Sequence, residues 1–288
     1  MDEALVPILY AALAAVCFGG QIVVAMRSFT HVDPQTGSMI SIGTCVMIFW
    51  LLSPFLLKAE YLTNPGMWIF FVNGLIHPLF SLYLAFEATK RMGPTVSATI
   101  SATAPLFATA GAVLVLGEHI TIVLLMGTIG TVVGIMVLSW RQQGHRDWAL
   151  WALILPIGAA VIRGVQHNLG KFGLELLPSP YFASFVSFTV SFIGSVLIYR
   201  LRIGRLPFIL PLRSLMWSGL AGALIAMGAL SMYSALNYGR VVVVSPIIAT
   251  FPVFTLVISL LFRQERFRLR ILVGVVLVMG GIIWICIQ

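Results

Sequence analysis

The sequence predicts an all-α integral membrane protein: ten transmembrane helices arranged as two inverted five-helix repeats. Three observations carry this. Charged residues make up 9% of the 288-residue chain and hydrophobic ones 60%, whereas soluble domains carry about 25% charge. Ten apolar runs follow one another with short polar breaks, each near the ~20 residues that cross a bilayer as a helix. The second half of the chain also repeats landmarks of the first at a nearly fixed offset. Strands are excluded, because an open sheet leaves backbone groups unpaired in lipid and these runs are about twice as long as a barrel strand.

The spans fall at about 5–26, 37–57, 66–88, 94–116, 120–140, 148–169, 180–199, 213–236, 241–262 and 269–287. His31, Asp33 and Pro34 close the first, and Asn64, Pro65 and Gly66 precede the third. Lys90, Arg91, Gly93 and Pro94 separate the third from the fourth. Arg141 to Asp147 is the most polar stretch and the natural midpoint, which divides the chain into residues 1–143 and 144–288. Arg200 to Arg213 is the longest basic loop. Ten spans use about 200 residues, so no soluble domain of any size fits beside them.

Cys17, Cys45 and Cys286 sit in apolar runs with no CxxC and no neighbouring histidine pair. That argues against a disulfide framework and a zinc site, and neither a metal nor a cofactor is expected. The opening segment, with Asp2 and Glu3, lacks the basic region of a signal peptide, so the first apolar run reads as a mature span. The net charge of +8 reflects Lys and Arg collecting on the cytoplasmic side rather than a nucleic-acid footprint. The expected partners are the bilayer and a small-molecule substrate.

The internal repeat is specific. Pro105, Glu118, Gly127 and Gly134 recur as Pro252, Glu265, Gly274 and Gly281, all at an offset of 147 residues. Ala14, Ala15, Val16, Gly19 and Gln21 recur as Ala159, Ala160, Val161, Gly164 and Gln166 at an offset of 145. Five spans per half is an odd number, so the second copy enters the membrane upside down. Inverted repeats of this kind are typical of secondary transporters, with a binding site at the midplane between the halves.

A small-residue-rich first helix with Gly19, a mid-helix proline thirteen residues before a glutamate, and a glycine-spaced helix, all given twice, resemble the drug/metabolite transporter superfamily, and within it the EamA family. The resemblance covers essentially the whole chain. It implies a ten-helix basket around a central cavity and transport of small metabolites, often export of amino acids. In the family a tryptophan commonly precedes the first-helix glycine; here Phe18 precedes Gly19 and Arg163 precedes Gly164.

Arg163 is the sharpest candidate. It lies about five residues from the middle of the sixth span, roughly 7 Å along the axis, where an arginine costs ~2.5–3.5 kcal/mol on insertion scales. It reads as an anchor for a carboxylate or phosphate, which a guanidinium grips in bidentate fashion. The alternative is a side chain that snorkels to the interface or pairs with carbonyls at a helix break. Gln166 and His167 follow on the same face. Asn73, His77 and Ser81 form a polar stripe on the third span, and Pro78 after His77 favours a kink. His77 reads equally as a substrate or proton contact and as a histidine satisfied by a neighbouring helix. Gln21 and Gln166 are mates across the repeat, and Ser101 and Ser245 are the small polar groups near Pro105 and Pro246. Gln21, Asn73, His77, Ser101, Arg163, Gln166, His167 and Ser245 are therefore the candidate substrate-binding residues.

Tyr83, Tyr233 and Tyr238 suit stacking on a ligand or, more commonly, interfacial anchoring. Glu118 and Glu265 open the fifth and tenth spans and read as structural, each complementing a helix N-terminus. Glu87 is placed to pair with Lys90 or Arg91. The absence of an acid after Glu3 in the first span disfavours the proton-for-cation exchange of small multidrug exporters. No HExxH, DxxD or Cys/His cluster points to an enzyme.

The leading function is thus secondary transport of small polar metabolites, amino acids or related anionic or zwitterionic compounds, by alternating access and in the export direction. The alternatives are transport of hydrophobic drugs or nucleotide-like solutes, or a non-transporting scaffold. A bacterial inner membrane is the expected location. Counting basic residues by side places Lys58, Lys171 and Arg240 with the termini and thirteen others on the opposite face, Arg163 completing the 17. By the positive-inside rule both termini are then non-cytoplasmic.

Overall fold

The structure is a computed structural model. It describes residues 5–28, 32–81, 84, 87–88, 91, 100–139, 150–203, 211–261 and 269–286. These are helical with short connections. The helices are α1 (Leu5–Ser28), α2 (Pro34–Leu56), α3 (Gly66–Gly74), α4 (Ala104–Val115), α5 (Ile122–Ser139), α6 (Ile154–Leu176), α7 (Pro180–Ile203), α8 (Leu212–Tyr238), α9 (Val241–Ile248), α10 (Phe251–Leu261) and α11 (Leu269–Cys286). A wider-wound turn, Leu75–Phe80, continues α3, and α9 and α10 together form one apolar span, Val241–Leu261. Six helices are long and apolar enough to cross a membrane, and four shorter apolar helices fill the remaining spans, among the described residues. Tyr83, Lys90 and Glu265 lie outside the described residues.

The helix ends follow local chemistry. Asp33 caps α2, accepting from Thr36 N at 3.0 Å and Thr36 Oγ1 at 2.6 Å. Burial pushes its carboxyl up, but the hydrogen bonds from Thr36 and the neighbouring backbone outweigh that and hold it below the ordinary value. The sixth span is the one that departs most from the sequence reading. It begins with a tight turn at Leu150–Leu153 and runs to Leu176, several residues past the 169 at which the sequence reading ends it. Lys171 does not end the helix because its Nζ donates to Leu236 O at 3.1 Å. That carbonyl lies in the last turn of α8, where cations are favoured. Pro178, which cannot prolong a helix, lies just beyond.

The two halves pack as mirror roles of one design. α1 lies on α8 and α6 on α3; α2 lies on α8 and α7 on α3; α4 lies on α6, and α9 with α10 on α1; α5 pairs with α11. Exchanging the halves maps each of these pairings onto its partner and the last onto itself, as an inverted repeat requires.

The repeated glycines are the contact points. A Cβ on Gly19 would stand 2.7 Å from Phe251 O and 2.8 Å from Phe254 Cβ. A Cβ on Gly164 would stand 2.7 Å from Ala108 N and 2.8 Å from Phe107 Cβ. Phe107 and Phe254 are themselves mates at offset 147. The self-paired crossing behaves alike: a Cβ on Gly127 would meet Gly281 O at 2.8 Å, and one on Gly134 would meet Gly274 O at 3.0 Å. Helices without a hydrophobic drive toward one another in lipid gain by such backbone approach, which only small residues allow.

Candidate functional site

The third span breaks where the sequence places Pro78. The residue before a proline is forced toward extended backbone, and His77 adopts φ −140°, ψ 134°. Pro78 also lacks the N–H that would have bonded Gly74 O. Ser191 Oγ of α7 donates to that carbonyl instead, and to His77 O. One turn earlier Ser187 Oγ donates to Phe70 O at 3.0 Å. The kink is therefore held by a serine face on α7, and it turns the His77 ring out of the helix line.

Arg163 lies two residues from the middle of α6, whose bounds are Ile154–Leu176, or roughly 3 Å along the axis. The later end of the helix thus puts Arg163 nearer the helix centre than the sequence bounds placed it. Among the described residues it has no carboxylate partner and no hydrogen bond. His167 follows it one turn later on α6, and the Leu75–Phe80 turn that carries His77 packs against α6. All three side chains are half-buried.

Both histidines are held by a serine through Nδ1: His77 to Ser81 Oγ at 2.7 Å, and His167 to Ser245 Oγ at 2.9 Å across to α9. Among the described residues neither Nε2 has a partner. Among the described residues the arrangement offers a guanidinium and two imidazole Nε2 atoms without a carboxylate partner. Chemically it can receive an anion, the guanidinium through two parallel N–H donors.

The other candidates divide. Ser245 is buried and serves His167. Asn73 is fully buried; its Nδ2 donates to Gln166 O at 3.3 Å and Tyr233 Oη at 3.0 Å, and Tyr233 in turn donates to Ser187 at 3.1 Å. Gln166 is buried too, and its Nε2 reaches Met232 Sδ at 3.6 Å. These groups tie α3, α6, α7 and α8 together behind the histidines. Gln21 is half-buried and without a hydrogen-bond partner among the described residues, and Ser101 is buried ahead of α4. Tyr233, which the sequence places most readily at an interface, is fully buried in this network, while Tyr238 is exposed and stacks on Tyr10. Ser184, Ser187 and Ser191 fall at i, i+3 and i+7 of α7, a polar stripe that could have marked Ser187 and Ser191 in the sequence.

Glu118 does structural work of an unexpected kind. Residues 116–121 are not helical, so its carboxylate is free to cross between the halves. It accepts from Val241 N at 2.8 Å and Val242 N at 3.0 Å, capping α9 rather than its own α5. Glu87 pairs with Arg91 at 3.3 Å. Substituting Glu118 by Ala removes two charge-assisted bonds at a helix N-terminus. It is expected to cost about 1–3 kcal/mol, read as a lowered melting temperature, with Gln intermediate. An unchanged melting temperature for the Ala variant would exclude the cap. Among the described residues, no group of three or more His, Cys, Asp or Glu side chains is placed to hold a metal ion.

Comparison with known proteins accounts for the doubled architecture. The EamA-like transporter family matches twice, over residues 5–140 and 150–287. The chain belongs to the EamA-like transporter family. An uncharacterized protein of Methanocaldococcus jannaschii is 30% identical over 139 residues, covering 48% of this chain and 97% of that protein. That relative thus has the length of one EamA repeat. A protein of known crystal structure superposes with a TM-score of 0.81 at 16% identity, covering 96% of this chain and 95% of its own, so the two share a fold. Membership in the EamA-like family makes this chain a multi-pass membrane protein and points to transport of small solutes rather than enzymatic chemistry.

Proposed function

We propose that this EamA-like protein is a secondary transporter of small organic anions or zwitterions, amino acids or related compounds, moved outward by alternating access between residues 1–143 and 144–288. The observation that carries the reading is Arg163, a guanidinium at the centre of α6 with no partner among the described residues, one turn from His167 and on a helix that packs against the turn carrying His77. An uncompensated charge there is costly, and a ligand carboxylate repays that cost at the moment it binds. In this reading Arg163, His77, His167 and Gln21 face the solute, and Ser245 orients His167. Asn73 and Gln166 hold the helices that present them, and Ser101 supports the start of α4.

Uptake of labelled organic acids by proteoliposomes tests this. Purified protein should exceed protein-free liposomes. No flux of any acid, with the protein folded, would favour a membrane scaffold.

The orientation follows from the charge count: thirteen basic residues face the cytoplasm, and both termini face outward across the plasma membrane. Alkaline phosphatase fused after Gln288 should be active and green fluorescent protein dark. A bright fluorescent fusion with inactive phosphatase would reverse the orientation and leave the transport reading intact.

A further inference from the structure

The short helix α9 is held by polar side chains at both ends of its first turn. At its N-terminus Glu118 accepts from Val241 N at 2.8 Å and Val242 N at 3.0 Å. Arg240, just ahead of the helix, returns a bond of 3.3 Å to His119 O. These bonds join the first half of the chain to the second on the face that carries the start of α1, where Tyr10 stacks on Tyr238. Glu118 is half-buried and Arg240 exposed, so water can replace either partner when that face opens. Four residues into α9, one turn or about 6 Å along the axis, Ser245 Oγ meets His167 Nδ1 at 2.9 Å. A carboxylate from one half and an imidazole of the anchor site thus hold opposite ends of a single helical turn.

α9 does not run on smoothly into α10. Ala249 and Thr250 form a turn between them, in which Thr250 N and Oγ1 both donate to Ile247 O, at 3.1 and 2.7 Å. Pro252 has no N–H for Ile248 O. Breaks at element ends are where a hinge absorbs backbone rotation. The first repeat breaks alike: Thr103 N and Oγ1 donate to Ile100 O at 3.1 and 2.7 Å. Ile100, Thr103 and Pro105 are the mates of Ile247, Thr250 and Pro252 at offset 147. In that register Val241 corresponds to Pro94, which has no backbone N–H, Arg240 to Gly93 and Ser245 to Ala98, which have no polar side chain. The sequence therefore supplies this full set of attachments in one repeat only.

We infer that α9 is a lever coupling the anchor site to closure of the face that carries the termini. Glu118 and Arg240 hold that face shut, and through α9 and Ser245 they set the position of the His167 imidazole. Solute engaging His167 and release of Glu118 are then linked in both directions. Glu118 is a positioning residue that acts through Ser245 and does not touch the solute. This rests on the placement of His167 in the solute site proposed above and goes beyond it by naming the element that the site moves.

Hydrogen exchange on the purified full chain tests the lever without any solute. Glu118→Gln, which weakens the cap, should raise exchange over residues 241–244 at least fivefold. Ser245→Ala, which leaves the cap in place, should do the same, with α7 as slow as in wild type. Calorimetry with 3-phenylpropanoate as the probe anion then reads the site. Glu118→Gln should weaken its binding at least threefold in the wild-type background. In the Ser245→Ala background the effect should be under twofold, because the link is already cut. Exchange over residues 241–244 that stays at the wild-type level in Ser245→Ala overturns the coupling and leaves Glu118 a cap. So does a Glu118→Gln effect on affinity of equal size in both backgrounds. A rise that extends to α7 is a general loosening and also counts against a lever. The exchange pattern judges α9 whether or not the probe binds, and the uptake assay judges the transport reading separately.

Discussion

Arg163→Gln should produce a protein that folds better and no longer binds its solute. In the empty protein the guanidinium is unpaired among the described residues, at the middle of α6. Removing it recovers part of the ~2.5–3.5 kcal/mol that an arginine costs at a helix centre. In the loaded protein the same group makes a desolvated, bidentate pair with the anion. Truncating one partner of such a pair costs about 2–5 kcal/mol, or about 30-fold to several thousand-fold in affinity. The two effects have opposite signs, and that separates a binding role from a packing role. Melting temperature without ligand should rise or hold, while affinity for an organic carboxylate collapses. A variant with lowered stability and intact affinity would assign Arg163 to the scaffold. Arg163→Lys should fall between, since a lysine keeps the charge and loses the fork.

Gly280→Ala and Gly281→Ala, one residue apart on α11, should shift stability in opposite directions. A Cβ on Gly280 meets nothing within 4 Å, so alanine there only restricts the unfolded chain and should stabilise by up to ~1 kcal/mol. A Cβ on Gly281 would stand 2.6 Å from Gly127 O and 2.7 Å from Thr131 N. Those are backbone atoms of α5, and they cannot yield by rotating a side chain. The two helices must separate, and overpacking of this sort costs about 1–3 kcal/mol. Because Gly281 and Gly134 are repeat mates, Gly134→Ala should cost a similar amount at the same crossing. Melting of the purified variants checks this, and a neutral Gly281→Ala would mean that α5 and α11 do not meet as described.

Much of the fold was legible because membrane physics leaves few choices. Apolar runs near twenty residues long must be helices, and a proline and a glutamate recurring with two glycines at one offset mark a duplicated unit. The sixth span ends several residues beyond the 169 expected from sequence, because the Leu236 carbonyl on another helix receives the Lys171 ammonium within α6. Glu118 was legible as a helix-capping carboxylate, but its own chain neighbourhood points to α5. The partner is α9, over a hundred residues later. Within the site, His77, Arg163 and His167 stood out because charge or an imidazole at membrane depth demands a reason. Ser187 and Ser191 did not, because the carbonyls they meet belong to another helix, and Tyr233 reads by type as a stacking ring or interfacial anchor whereas it is buried against Asn73. No period along one helix encodes such a crossing.

The central claim is that this EamA-like chain moves an organic anion through a site anchored by Arg163, and counterflow tests it most directly. Proteoliposomes are loaded with unlabelled 3-phenylpropanoate and diluted into a trace of the labelled acid. Wild type should accumulate label transiently above its equilibrium level, which only a carrier alternating between two faces can do, and Arg163→Gln liposomes should match protein-free ones. Label that never exceeds equilibrium with wild type, or accumulates equally with Arg163→Gln, would contradict the account.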